Sequence, residues 1–297
     1  MRILTLLLRH GTAKYENAID DIEAFFARQL PSVEWDLLVI DNTLPEGYEE
    51  VLPHKHVLIG GSNAQWEFSA WDNGIAHIGR RLAEYDLIHL ATSAFATLYT
   101  RYLDRIGSEI LQLILRRGAA VGHIDYYNEP IVIFGRQSQA WLRSSFVFLP
   151  PAELKMLGSL VSVADQAGLF TGNPTAPFRD DAPMSENYRQ YILGWLTGDG
   201  TGQGVQWHSR FALSQDTLPW FQSKVLTILN EHMLSIRLRA QGCAMVDATW
   251  LATRAKTLPP AGQPLGPIPS WRKQITERDT DPAPSKVLFR SMFSLRE

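Results

Sequence analysis

The sequence predicts an α/β protein: a mostly parallel sheet covered by helices. Short apolar runs at Ile3–Leu8, Trp35–Ile40, Val57–Gly61 and Leu87–Ala91 alternate with stretches whose apolar residues recur at helical spacing. The runs are mostly apolar, broken only by Thr5, Asp36 and His89, and do not alternate with polar residues, as expected of strands buried on both faces. The composition, 45% hydrophobic and 20% charged, is that of a folded globular chain.

The elements follow in order. Ile3–Leu8 reads as a buried first strand and not as a signal peptide, because Arg9 and His10 follow it at once with no small-residue cleavage site. Tyr15–Leu30 carries Ile19, Ile22, Phe25, Phe26 and Leu30 on one helical face. Trp35–Ile40 is a strand ending at Asp41-Asn42, and Val57–Gly61 runs into a glycine pair. Phe68–Leu82 is a helix, Leu87–Ala91 a fourth strand, and Tyr99–Arg117 a long helix closed by Gly118. Ala119–Ile124 and Ile131–Phe134 are further strands. Beyond the apolar stretch Ala140–Phe148, helices are expected around Ala152–Val163, over Glu186–Leu196 with Ser185 as N-cap, and over Lys224–Ala240. Phe170–Pro183, rich in Gly, Pro and Asp, is a loop. After Thr257 the prolines 259, 260, 264, 267 and 269 indicate an extended, wrapping arm.

The 297 residues suffice for one large domain with a substantial core. A net charge of −3 provides no basic footprint, which argues against a nucleic-acid partner. Cys243 is the single cysteine, so no internal disulfide forms and a reducing, cytoplasmic setting is expected. No stretch reaches the ~20 apolar residues of a membrane span.

Ligands of parallel sheets sit at the carboxyl ends of the strands, and four signals fall there. Arg9-His10-Gly11 ends the first strand. Asp41, ending the second, can accept hydrogen bonds from a base or ribose, or serve as a turn aspartate. Gly60-Gly61-Ser62-Asn63 leads into a helix carrying Asn73-Gly74, where glycines admit close backbone approach. Thr92-Ser93-Ala94 ends the fourth strand. Further along, Glu186 stands at the first position of a helix, where the dipole favours an acid. Glu231 lies within the helix Lys224–Ala240. Trp207, His208 and Arg210 offer aromatic and polar faces to a ligand.

Asp41-Asn42, the Gly60–Asn63 turn and Asn73-Gly74 together resemble GT-A type glycosyltransferases. The stretch from Gly122-His123-Ile124-Asp125 to Leu149 is similar to bacterial rhamnan-synthesis (rhamnosyltransferase-like) proteins. The resemblance implies a GT-A-like Rossmann-type mixed sheet, a nucleotide-binding half over about 1–135, an acceptor half over 136–257 and a helical, proline-rich extension over 258–297. It implies transfer of a sugar from a nucleotide-sugar donor to a glycan or lipid-linked acceptor in cell-surface polysaccharide synthesis. Arg9, His10, Asp41, Asn63, Asn73, Thr92 and Ser93 would belong to the donor site. His123, Asp125, Trp207, His208 and Arg210 would line the acceptor site. Inverting transfer needs a carboxylate base, for which Glu186 is the first candidate, then Asp181, its neighbour Asp180 and Glu231. The family's Asp-x-Asp, which holds magnesium or manganese, is replaced by Thr92-Ser93-Ala94. Metal-independent transfer would need cations at the diphosphate, from among Arg9, Arg136, Arg143 and Arg210. The tail Lys286–Arg296, with Leu288–Leu295 at its centre, would suit contact with an anionic membrane surface. Two other readings remain: Arg9-His10-Gly11 resembles the histidine phosphatase family, with His123 as second histidine, and a non-catalytic nucleotide-sugar or glycan-binding protein would share the same crevice.

Overall fold

The computed structural model describes residues 1–97, 100–115, 117–198, 210–255 and 266–279. Its main element is an eight-stranded mixed sheet. The strands are β1 (Arg2–Arg9), β2 (Glu34–Asp41), β3 (Glu49–Val51), β4 (Val57–Gly60), β5 (Leu87–Thr92), β6 (Ala120–Gly122), β9 (Phe146–Leu149) and β10 (Met245–Asp247), and their spatial order is β10-β6-β9-β5-β1-β2-β4-β3. The remaining strands, β7 (Ile124–Ile133) and β8 (Arg136–Leu142), form a separate antiparallel hairpin. β1, β2, β4 and β5 run parallel, while β9 enters antiparallel between β5 and β6.

Alternation along the strands builds two cores. Ile3 and Leu7 of β1, with Leu37 and Val39 of β2, pack under α1 (Ala18–Gln29), α3 (Ser108–Leu115) and α7 (Ala248–Ala255). Leu4, Leu6 and Leu8, with Leu38 and Ile40, pack against α2 (Trp66–Ile78), α4 (Pro151–Leu157) and the end of α6 (Leu218–Ala240). A third cluster joins the β7–β8 hairpin to α5 (Glu186–Thr197) and the first half of α6. Gly74 lets α2 approach the sheet, since a Cβ there would fall 2.7 Å from Ile40 Cδ1.

Helix α1 leads from β1 to β2 on one face, and α2 leads from β4 to β5 on the other, so the chain direction reverses between β1 and β5. In doubly wound sheets the ligand crevice opens outside the carboxyl ends of the strands at such a switch.

Several boundaries depart from the sequence reading. The long helix expected over Tyr99–Arg117 is instead a 3-10 segment, Thr100–Arg105, followed by α3. Gly107 separates them and its carbonyl accepts the Leu111 N–H. The helix expected to reach Val163 stops at Gly158, whose φ of 73° ends α4; the chain beyond is held by Asp72 and Asn230 side chains. The three-residue strands β3 and β10 were not expected. Within the proline-rich arm, α8 (Trp271–Asp279) docks on the sheet edge: the Gln274 side chain accepts from Asp247 N–H and donates to the Met245 carbonyl. The second half of the chain contributes β9 and β10 to the same sheet as the first. Among the described residues no helix is long and apolar enough to cross a membrane.

Candidate functional site

The carboxyl end of the sheet is organised by Asp41, 2% exposed at the end of β2. Its Oδ1 accepts from the Gly11 N–H at 2.9 Å, the Thr43 N–H at 2.9 Å and the Thr43 hydroxyl at 2.7 Å. Its Oδ2 accepts from Arg9 Nε at 2.7 Å. Burial alone would raise the Asp41 pKa, but these donors together hold it below its ordinary value. Asp41 thus pins the loops after β1 and β2. The next turn is tied to it: the Gly61 N–H donates to the Asp41 carbonyl at 3.0 Å, and the Ser62 N–H donates to Asn73 Oδ1 at 2.8 Å. Asn42 Nδ2 donates to Asn63 Oδ1 and to the Trp66 carbonyl. The Asp41 and Asn73 turns therefore share one end of the sheet. Thr92 and Ser93 lie beside them, with the Ser93 N–H donating to the Leu8 carbonyl at 2.7 Å.

Helix α6 forms the facing wall. Trp220, Lys224, Thr227 and Glu231 follow at i, i+4, i+7 and i+11, which places them in one stripe along the helix. Lys224 Nζ stands 4.3 Å from the centre of the Trp66 ring, at the start of α2. About 10 Å further along the axis, Glu231 Oε1 accepts both the N–H and the hydroxyl of Ser144, at 2.7 and 2.8 Å. The next residue, Ser145, accepts the Thr92 N–H through its carbonyl, so Glu231 is anchored beside the end of β5. Burial raises the Glu231 pKa to about 7, against the two Ser144 hydrogen bonds, with Asp125 and Glu67 adding like charge. Burial likewise raises Glu67, opposed by Lys224, and lowers Lys224, which Glu67 opposes and Lys14 reinforces.

The β6–β7 corner supplies a charged cluster. Arg143 Nε donates to Asp125 Oδ2, and Nη2 to Oδ1 at 3.2 Å. His123 Nε2 lies 3.4 Å from Asp125 Oδ1, and its ring stacks on Tyr102 at 5.1 Å. Burial opposes the charge on Asp125, yet Arg143 and His123 hold its carboxyl well below the usual range. Behind them, the fully buried Asp247 accepts from Arg278 Nη1 at 2.6 Å and from the Ile124 N–H at 3.0 Å.

Other expected residues lie elsewhere. Glu186 is exposed and accepts from Gln190. The start of α5 docks at the far end of β7, where Ser185 Oγ accepts the Val132 N–H; that is roughly 20 Å of extended strand from Asp125. Asp181 is exposed and paired with Arg179 through both oxygens, and Asp180 is exposed beside it. Of the candidate carboxylates Glu186 and Glu231, it is Glu231 that stands near the end of β5, because α6, not α5, packs there. Arg136 is exposed at the tip of the β7–β8 hairpin, and Arg210 folds over Gly198 at the end of α5. His10 is exposed beyond β1. His123 follows directly on β6, which lies three strand positions from β1, about 14 Å across the sheet, so the two histidines are not brought together at one phosphate-sized hollow. Trp207, His208 and the tail Lys286–Arg296 lie outside the described residues. Trp66, Glu67, Ser144 and Lys224 were not among the site candidates read from the sequence; the seven-residue spacing that puts Lys224 on the same face of one helix as Glu231 was the signal that could have found Lys224.

Among the described residues no three His, Cys, Asp or Glu side chains converge as metal ligands. No protein-family model, curated protein or solved structure matches the chain.

Proposed function

We propose that this protein is a GT-A type glycosyltransferase that moves a sugar from a nucleotide-sugar donor to a glycan or lipid-linked acceptor, with inversion, on the cytoplasmic side of cell-surface polysaccharide synthesis. The observation that carries the reading is Glu231: a carboxyl with a pKa of about 7, anchored by Ser144 at the carboxyl edge where the sheet switches direction. The antiparallel β9 beside the parallel strands, and the Asp41-pinned loops, also support it.

The donor nucleotide lies over the ends of β1, β2 and β4, between the Asp41 and Asn73 turns. Its diphosphate runs toward Ser93. Ser144 occupies Glu231 Oε1 and leaves Oε2 for the acceptor. As the acceptor oxygen attacks the anomeric carbon, its proton passes to Oε2. The new carbon–oxygen bond forms as the bond to phosphate breaks, and that electron pair leaves with the nucleoside diphosphate. A base with a pKa near the working pH is deprotonated often enough and still basic enough for this step. Asp125, neutralised by Arg143 and His123, is suited to orient an acceptor hydroxyl.

Incubation with UDP-, GDP- and dTDP-sugars, with hydrolysis or transfer followed by release of nucleoside diphosphate, tests the reading. Turnover by the native chain and its loss by about 100-fold or more in Glu231→Gln is expected. Absence of release from every donor would contradict it.

A further inference from the structure

We infer that Arg278, on α8, is a positioning residue for the crevice: it fixes which nitrogen of His123 carries the ring proton, and through that ring it holds Asp125 in place to orient an acceptor hydroxyl. The use of Asp125 rests on the sugar-nucleotide reading above; the contact between Arg278 and His123 does not.

A guanidinium has N–H donors and no acceptor. Arg278 Nη1 lies 3.3 Å from His123 Nδ1. A proton on Nδ1 would point at another donor, so Nδ1 is the bare nitrogen and the proton sits on Nε2. Nε2 faces Asp125 Oδ1 at 3.4 Å. In the other tautomer a nitrogen lone pair would face that carboxylate. The carboxylate nearest Nδ1, Asp247 Oδ2, is 3.9 Å away, beyond hydrogen-bond reach. The ring cannot easily turn, because it stacks on Tyr102 with 5.1 Å between centres and 15° between planes. Arg143 clasps Asp125 as well, so two arginines fix this carboxylate, one directly and one through His123.

Arg278 is itself firmly placed. The same Nη1 donates to Asp247 Oδ2 at 2.6 Å and to the Ile124 carbonyl at 3.0 Å, so its two hydrogens are shared among three acceptors. Its neighbours lock α8 to the sheet edge. Gln274 bonds to Asp247 N–H and the Met245 carbonyl, and Glu277 accepts from Trp250 Nε1 and pairs with Arg254. The helix of the proline-rich arm thus reaches a residue 155 positions earlier in the chain.

The test is a long-range 1H–15N spectrum of the full chain carrying 15N-histidine, recorded without ligand at neutral pH, with His123 assigned by its loss in His123→Gln. The native chain should show Nδ1 bare and Nε2 protonated, a result that needs no other variant. Removing Arg278 alone would strand the buried Asp247, so Arg278→Met is combined with Asp247→Asn. In that double variant the tautomers of His123 should mix, whereas Arg278→Lys, which keeps a cation with donors only, should retain the native one. With UDP-, GDP- and dTDP-sugars and water as acceptor, the double variant should release nucleoside diphosphate about tenfold more slowly at saturation, with the donor KM within about twofold of native. A proton on Nδ1 in the native chain, or an unchanged tautomer in the double variant, would overturn the inference. So would an altered tautomer with unaltered turnover. The expected spectra, with no release from any donor by the native chain, would sustain the tautomer assignment and remove the sugar-nucleotide reading.

Discussion

Ser144 donates twice to a single oxygen of Glu231, from its backbone N–H at 2.7 Å and its hydroxyl at 2.8 Å. Both bonds favour the ionised carboxylate, and they counter burial in holding the pKa to about 7. Ser144→Ala removes the hydroxyl and keeps the N–H. A hydrogen bond to a charged group is worth ~1.5–3 kcal/mol, so the acidic limb of kcat/KM against pH should move up by about one unit or more. An unmoved limb would mean that Glu231 is not the titrating base.

Glu231→Gln should lose transfer and gain stability. The folded carboxyl keeps its proton up to about pH 7, whereas the unfolded chain gives it up near 4.5. Folding therefore takes up a proton between those values, and this group's contribution to stability falls as pH rises through the window. The variant lacks that loss. Its stability relative to the native chain should grow from pH 4.5 to pH 7 and level off on the order of 2–3 kcal/mol, read from urea midpoints at several pH values.

His89 gives the opposite dependence. Its ring is buried between Phe146 and Phe148, and burial lowers its pKa to about 3 from 6.5. The unfolded chain takes a proton below 6.5 that the folded chain refuses, so stability falls as pH drops from 6.5 toward 3. In His89→Leu the slope of stability against pH across this window should be smaller by about one proton, ~1.4 kcal/mol per pH unit, whatever the constant offset from repacking.

Asp41→Ala should destabilise the fold by about 3–5 kcal/mol. It strands the half-buried Arg9 guanidinium and removes the acceptor of the Gly11 and Thr43 donors. Chemical denaturation measures this loss, and nucleoside diphosphate binding should fail with it.

Much of the fold was legible in the sequence because β1, β2, β4 and β5 are buried over most of their length and read as mostly apolar runs. Asp41 was legible as a polar residue closing such a run. Its partners from the first strand were not, because Arg9 and Gly11 reach it only once β1 and β2 pair in register, with Arg9 opposite Asp41; the bonds from Thr43 are local, as in a turn aspartate. β3 and β10, at three residues each, are too short to show a period. The helix break at Gly107 was hidden by Tyr102, Ile106, Ile110 and Ile114, which keep a helical spacing across it. Glu186 and Glu231 look alike in sequence, each an acid on an amphipathic helix. Only the docking of α6 across the end of β5 and of α5 on the hairpin distinguishes them. Lys224 and Trp66 are 158 positions apart, and nothing local in either segment announces their contact.

The central claim is a place: a sugar-nucleotide crevice between the ends of β1, β2, β4 and β5 and the Trp220–Glu231 face of α6. Crystals of the chain soaked with UDP, GDP or dTDP test it directly. Density for the nucleotide over the Asp41 and Asn73 turns, with its diphosphate between Ser93 and Lys224, is the expected result. A nucleotide bound at any other surface, with this crevice left to solvent, would contradict the account.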